Sequence, residues 1–95
     1  MNKYEAMFII KPDLAQEHKE SLFLQLSDAV VKNEGTVQAA SVWAERRKLI
    51  FPINKFHEGL YYLLNFSVDT SKVKEIRHTY KLNESILRVL MTKVT

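Results

Sequence analysis

Ninety-five residues make one small domain, residues 1–95, with room for a single core and none for a second catalytic lobe. The chain has no cysteine, which excludes disulfides and thiolate metal sites, and its 14 Lys plus Arg against 11 Asp plus Glu give a mild +3. That charge alone does not mark a nucleic-acid binder. No apolar run approaches the roughly 18 residues of a membrane span, and the opening Met1-Asn2-Lys3-Tyr4-Glu5 runs straight into a strand pattern. A cytoplasmic protein is the expectation.

Lys3 to Ile10 alternates Tyr4, Ala6, Phe8 and Ile10 against Glu5, Met7 and Ile9, apolar on both faces, which predicts a central strand. Pro12-Asp13 stops it, and Asp13 followed by Gln16 resembles a capping box opening a helix over Leu14 to Asn33. Leu22, Leu26, Ala29 and Val30 share one face of that helix, and Gly35 is placed to end it in the left-handed conformation. Thr36 to Ile53 is too long for a flat strand, so a bend or bulge is expected between Ala40 and Glu45. Pro52 puts this strand at an edge. A wide turn with Pro, Asn and Gly leads to a second central strand, Leu60 to Val68. Asp69 can cap a second helix carrying Val73, Ile76 and Tyr80, and Ile86 to Val94 is the last strand, with Leu87, Val89 and Met91 on one side.

The order βαββαβ, with right-handed crossovers and a central hairpin, leads to an α+β ferredoxin-like sandwich: a four-stranded antiparallel sheet, order 4-1-3-2, with both helices on one face. Parity assigns Met7, Ile9, Ile50, Tyr61, Leu63 and Leu90 to the other face. Each gains roughly 1.5–3 kcal/mol on burial, against a cost of ~4–15 kcal/mol for immobilising a partner. A protein partner is expected to cover part of that face.

Catalytic chemistry finds little support. His18, His57 and His78 fall one to a segment with no metal-ligand spacing, the serines lack a nucleophile elbow, and no glycine-rich loop cradles phosphate. The turn Lys11-Pro12-Asp13-Leu14 is too acidic for an acylphosphatase-like anion loop. No enzyme activity, metal, cofactor or small-molecule substrate is expected. An RRM-like reading needs spaced rings on the open face of the third strand. Gly59-Leu60-Tyr61-Tyr62-Leu63-Leu64-Asn65-Phe66 meets it only partly, since Tyr62 and Phe66 share core parity. That reading, or a protein-only interaction module, is the alternative.

The segments Lys3-Tyr4-Glu5, Lys11-Pro12-Asp13-Leu14, Arg46-Arg47-Lys48-Leu49-Ile50-Phe51-Pro52-Ile53-Asn54-Lys55, Glu58-Gly59-Leu60-Tyr61-Tyr62 and Asn83-Glu84-Ser85-Ile86-Leu87-Arg88 resemble, in this order, the bacterial small-subunit ribosomal protein S6 family. Glu45 stands where that family often has Gly, and Ile50-Phe51 where it often has Ala-Tyr. The resemblance implies a non-enzymatic structural component of the small ribosomal subunit. It further implies binding of small-subunit ribosomal RNA together with ribosomal protein S18 during assembly. The candidate RNA-binding residues are Lys3, Arg46, Arg47, Lys48, Lys55, Arg88 and Lys93. By parity Arg46, Lys48 and Arg88 face the open side and Arg47 the opposite one. Contacts to backbone and RNA shape are expected, since no base-edge code is legible.

Overall fold

The computed structural model describes residues 1–94. In chain order they form β1 (Asn2–Ile10), α1 (Gln16–Lys32), β2 (Thr36–Ile53), β3 (Phe56–Val68), a 3-10 turn (Thr70–Lys72), α2 (Val73–Lys81) and β4 (Ile86–Val94). The sheet runs β2-β3-β1-β4 with every neighbouring pair antiparallel, the ferredoxin-like order expected from the sequence. Among the described residues no helix is long and apolar enough to cross a membrane.

The core follows from alternation along the two inner strands. Tyr4, Ala6, Phe8 and Ile10 of β1 and Leu60, Tyr62, Leu64, Phe66 and Val68 of β3 are all buried on one face. Their register sets Ala6 opposite Leu64, Phe8 opposite Tyr62 and Tyr4 opposite Phe66. Onto this face α1 lays Leu22, Leu26, Ala29 and Val30, and α2 lays Ile76 and Tyr80, the three- and four-residue spacing of one helical side. Aromatic packing knits the layers. Phe23 stacks on Tyr62 with centroids 4.1 Å apart, and Tyr80 meets Phe8 edge-on at 4.8 Å. The buried Tyr80 hydroxyl donates to the Leu26 carbonyl at 2.6 Å, which satisfies it, and burial raises the phenol's pKa.

Several local expectations are corrected. The capping box does not form: α1 starts at Gln16 with Ala15 as an N-cap that offers no side-chain acceptor, and the Asp13 carboxylate instead accepts from Arg46. At the other end Glu34, with φ of 65°, takes the left-handed conformation expected of Gly35. Gly35 is required for space, because a Cβ there would lie 2.7 Å from Val30 Cγ1 and 2.8 Å from the Ser67 carbonyl oxygen. The hairpin between β2 and β3 is tight rather than wide. Ile53 pairs with Phe56 across Asn54 and Lys55, whose φ values of 47° and 71° fit a type I′ turn, the form that matches strand twist.

Asp69 does cap the second helical segment, accepting from the Ser71 amide, and this hydrogen bond lowers its pKa. In β4 a register shift between Ile9 and Ile10 sets Ile86 opposite Ile10 and Arg88 opposite Ile9. Ile86, Val89 and Met91 therefore pack against the core, and Leu87 does not take the core-facing place that simple alternation gave it.

Candidate functional site

Three strands position the open face. Register places Met7 opposite both Leu63 and Leu90, making one apolar row across β3, β1 and β4. The next row sets Ile9 between Tyr61 and Arg88, and Ala44 of β2 stands opposite Tyr61. Met7, Tyr61 and Leu63 are half-buried and Leu90 is exposed, whereas Ile9 is already buried. Its cover is Leu49, only 7% exposed: a Cβ on Gly59 would lie 2.6 Å from Ile9 Cγ2 and 3.7 Å from Leu49 Cδ2. The strand itself thus roofs one corner of the face. Leu49 occupies the open-face place expected of Ile50, and Ile50 projects 91% exposed near the hairpin tip beside exposed Phe51 and Pro52.

The irregularity of β2 also reverses the expected facing of its cations. Register shifts occur between Val37 and Ala39, Val42 and Ala44, Ala44 and Arg47, and Lys48 and Ile53. Each shift changes which residues share a side. Beyond the bulges Arg47 pairs with Gly59 and lies on the open face, while Lys48 pairs with Glu58 on the helix side. Arg46 bonds to Asp13 at 2.6 Å and to Glu58 at 3.5 Å, both on the helix side, which makes it a tie between β2 and the loop before α1. The hydrogen bond to Asp13, foremost, and the two carboxylate charges raise the Arg46 pKa further. Lys19 reaches Glu45 at 3.7 Å along the same seam. Arg46 and Lys48 therefore leave the open face, and Arg47 joins it.

Of the remaining candidate cations, Lys3 and Arg88 are exposed on the open face, Lys93 lies opposite Tyr4 on the other side, and Lys55 sits in the turn. Among the described residues neither Arg47 nor Arg88 joins an ion pair. Arg47 is held instead by rings. Its guanidinium carbon lies 4.6 Å from the Trp43 centroid and 5.7 Å from that of Tyr61, and the two rings are 5.6 Å apart. Trp43 and Leu49 went unrecognised in the sequence. The available signal was a large ring four residues ahead of Arg47 in an edge strand, readable only if the bulge positions were known.

Other chemistry is not assembled. Among the described residues no group of three His, Asp or Glu is placed to hold a metal, and His18, His57 and His78 are all exposed. An open groove of about 520 Å³ between α1 and α2 is lined by Asp28, Lys32, Glu75 and Tyr80 among others. Tyr80, already bonded to Leu26, is the only buried titratable group there. Tyr62 and Phe66 are buried beneath the helices, so the RRM-type ring pattern is not displayed.

A model of the family described as ribosomal protein S6 matches residues 3–93. The small ribosomal subunit protein bS6 of Thermoanaerobacter pseudethanolicus is 33% identical over 93 residues, spanning 98% of this chain and 97% of that relative. The bS6 protein of Fusobacterium nucleatum is 36% identical over 93 residues, with 98% of each chain covered. The crystal structure of 30S ribosomal protein S6 from Thermotoga maritima superposes with a TM-score of 0.90 at 26% identity, covering 98% of this chain and 87% of that one. The C-terminal domain of MgtC from Mycobacterium tuberculosis, at 8% identity and a TM-score of 0.64, shares the fold alone.

Proposed function

The chain belongs to the ribosomal protein S6 family and is a non-enzymatic structural component of the bacterial small ribosomal subunit; from that premise we propose that it binds small-subunit ribosomal RNA jointly with ribosomal protein S18. The observation that carries this reading is the composition of one surface. The row Leu90, Met7 and Leu63 lies on the same side of the sheet as Arg88, which ends the neighbouring row beside Ile9, and as Arg47, which stands opposite Gly59 one row further on. The apolar row suits a protein, and the arginines suit phosphate, whose paired oxygens match the guanidinium fork.

The seven candidate cations divide accordingly. Arg47, Arg88 and Lys3 are the primary RNA contacts. Arg46 keeps the β2 bulge seated on the loop before α1, and Lys48, Lys55 and Lys93 supply secondary charge from the rim. On the partner side Met7, Tyr61, Leu63 and Leu90 make the contact. Ile9 supports it from below, and Ile50 lies outside it.

Co-elution and RNA binding separate the two halves. Leu63→Asp should abolish co-elution with S18, because an isolated carboxylate would be buried in the apolar row. The double variant Arg47→Ala, Arg88→Ala should retain that co-elution. Its RNA affinity should fall, with the slope of log affinity against log salt flatter by roughly 0.7–0.9 for each phosphate left without its cation. An unchanged slope together with intact co-elution of Leu63→Asp would leave the proposal without support.

A further inference from the structure

One open-face side chain has no part in the surface described so far: Trp43, which packs against Arg47 and Tyr61. Trp43 is 55% exposed on the edge strand, beside the bulge that turns it and Ala44 toward Tyr61. The guanidinium of Arg47 lies over the Trp43 ring. Among the described residues it makes neither an ion pair nor a side-chain hydrogen bond, so its in-plane N–H donors are unspent. Its neighbour Arg46 is neutralised twice.

We propose that Trp43, backed by Arg47 and Tyr61, is a stacking platform for one unpaired base of the RNA, with the edge of the Arg47 guanidinium taking the phosphate beside that base. This rests on the RNA-binding reading above and adds the place where a single nucleotide leaves its helix. Charge complementarity selects the occupant. An apolar protein surface laid over Trp43 would bury the donors of Arg47 without acceptors, a costly outcome. A nucleotide offers a π-face for the ring and an anion for the fork in one unit. Arginine beside the ring also enriches the stack through its own planar cation.

Trp43 is the single tryptophan of the chain, so its emission reports on the platform directly. The probe is a transcript of small-subunit ribosomal RNA, added to the complex of this chain with S18. Emission should be quenched saturably on RNA addition. Trp43→Ala should weaken RNA binding about 5- to 150-fold, the range that follows from removing one base–aromatic stack, and Trp43→Phe should stay close to wild type. Arg47→Lys should lose affinity while keeping the salt slope, since the charge survives and the plane does not. Circular dichroism melts matching wild type confirm that each variant is folded. RNA binding without quenching, and unaltered in Trp43→Ala, would overturn the platform and leave the RNA-binding reading standing. A shift in Trp43 emission completed by S18 alone, with no further change on adding RNA, would overturn it in favour of a protein contact. Failure of the wild-type complex to bind the transcript would remove both.

Discussion

Leu63 and Leu64 are consecutive residues of the same strand, yet one belongs to a face with no helix over it and the other to a face sealed by two helices. Leu64 is fully buried among Ala6, Phe8 and the helical side chains. Leu63 is half-buried in a row that ends in solvent at Leu90. The sealed face is closed by complementary shape, aromatic contacts and one buried hydroxyl bond. The open face retains apolar area that the isolated chain covers only at the Ile9 and Leu49 corner. Stability is thus concentrated on one side of the sheet, and the proposed binding surface lies on the other.

The largest effect that tests this division is truncation on either side. Leu64→Ala should cost about 2–5 kcal/mol and lower the melting temperature by more than about 8 °C. Leu63→Ala should cost on the order of 1 kcal/mol or less, as read by thermal or denaturant unfolding. Equal losses would erase the distinction between the faces.

A smaller effect comes from the one buried phenol bond. Tyr80→Phe should cost about 0.5–1.5 kcal/mol at neutral pH. Burial, first, and the neighbouring Tyr62 raise the Tyr80 pKa in the folded state, so the neutral phenol is the form that folding favours. The stability it contributes is fully present below the unfolded phenol value of about 10 and is lost as pH rises beyond it toward the folded value. Tyr80→Phe should accordingly show a shallower alkaline decline than wild type in unfolding curves taken above about pH 10.

The smallest expected effect falls on Arg46, and it sharpens the comparison most. Arg46→Ala should leave the salt slope of RNA binding unchanged, because its charge is already taken up by Asp13 and Glu58. Arg47→Ala, one residue along, should flatten it. A change in slope for Arg46 comparable with that for Arg47 would mean that both sides of β2 reach the RNA.

The sealed face was legible in the sequence because its strands are regular. Tyr4 to Ile10 and Leu60 to Val68 keep strict period-2 spacing, and Leu22, Leu26, Ala29 and Val30 keep helical spacing, so burial followed from counting. Strand order came from the same regularity. The open-face residues of β1 and β3 were legible for that reason too. Counting failed in β2, where four register shifts reset the parity, sending Arg46 and Lys48 to the helix side, Arg47 to the open face and Leu49 inward in place of Ile50. Bulge positions depend on twist and on contacts such as Arg46 with Asp13, which are made between segments distant in the chain. The capping error has the same origin, since Asp13 was spent on that arginine rather than on its own helix.

The junction at Glu34 and Gly35 carries a consequence for the architecture as a whole. One residue bears the unusual handedness and its neighbour supplies the vacancy against Val30 and the Ser67 carbonyl. Exchanging the two would relax the backbone at 34 only to drive a side chain into the layer below at 35. The corner therefore acts as a spacer of fixed thickness: it sets how near the first helix can lie to the sheet, and through that spacing where the long β2 arm begins its course toward the edge that carries Trp43.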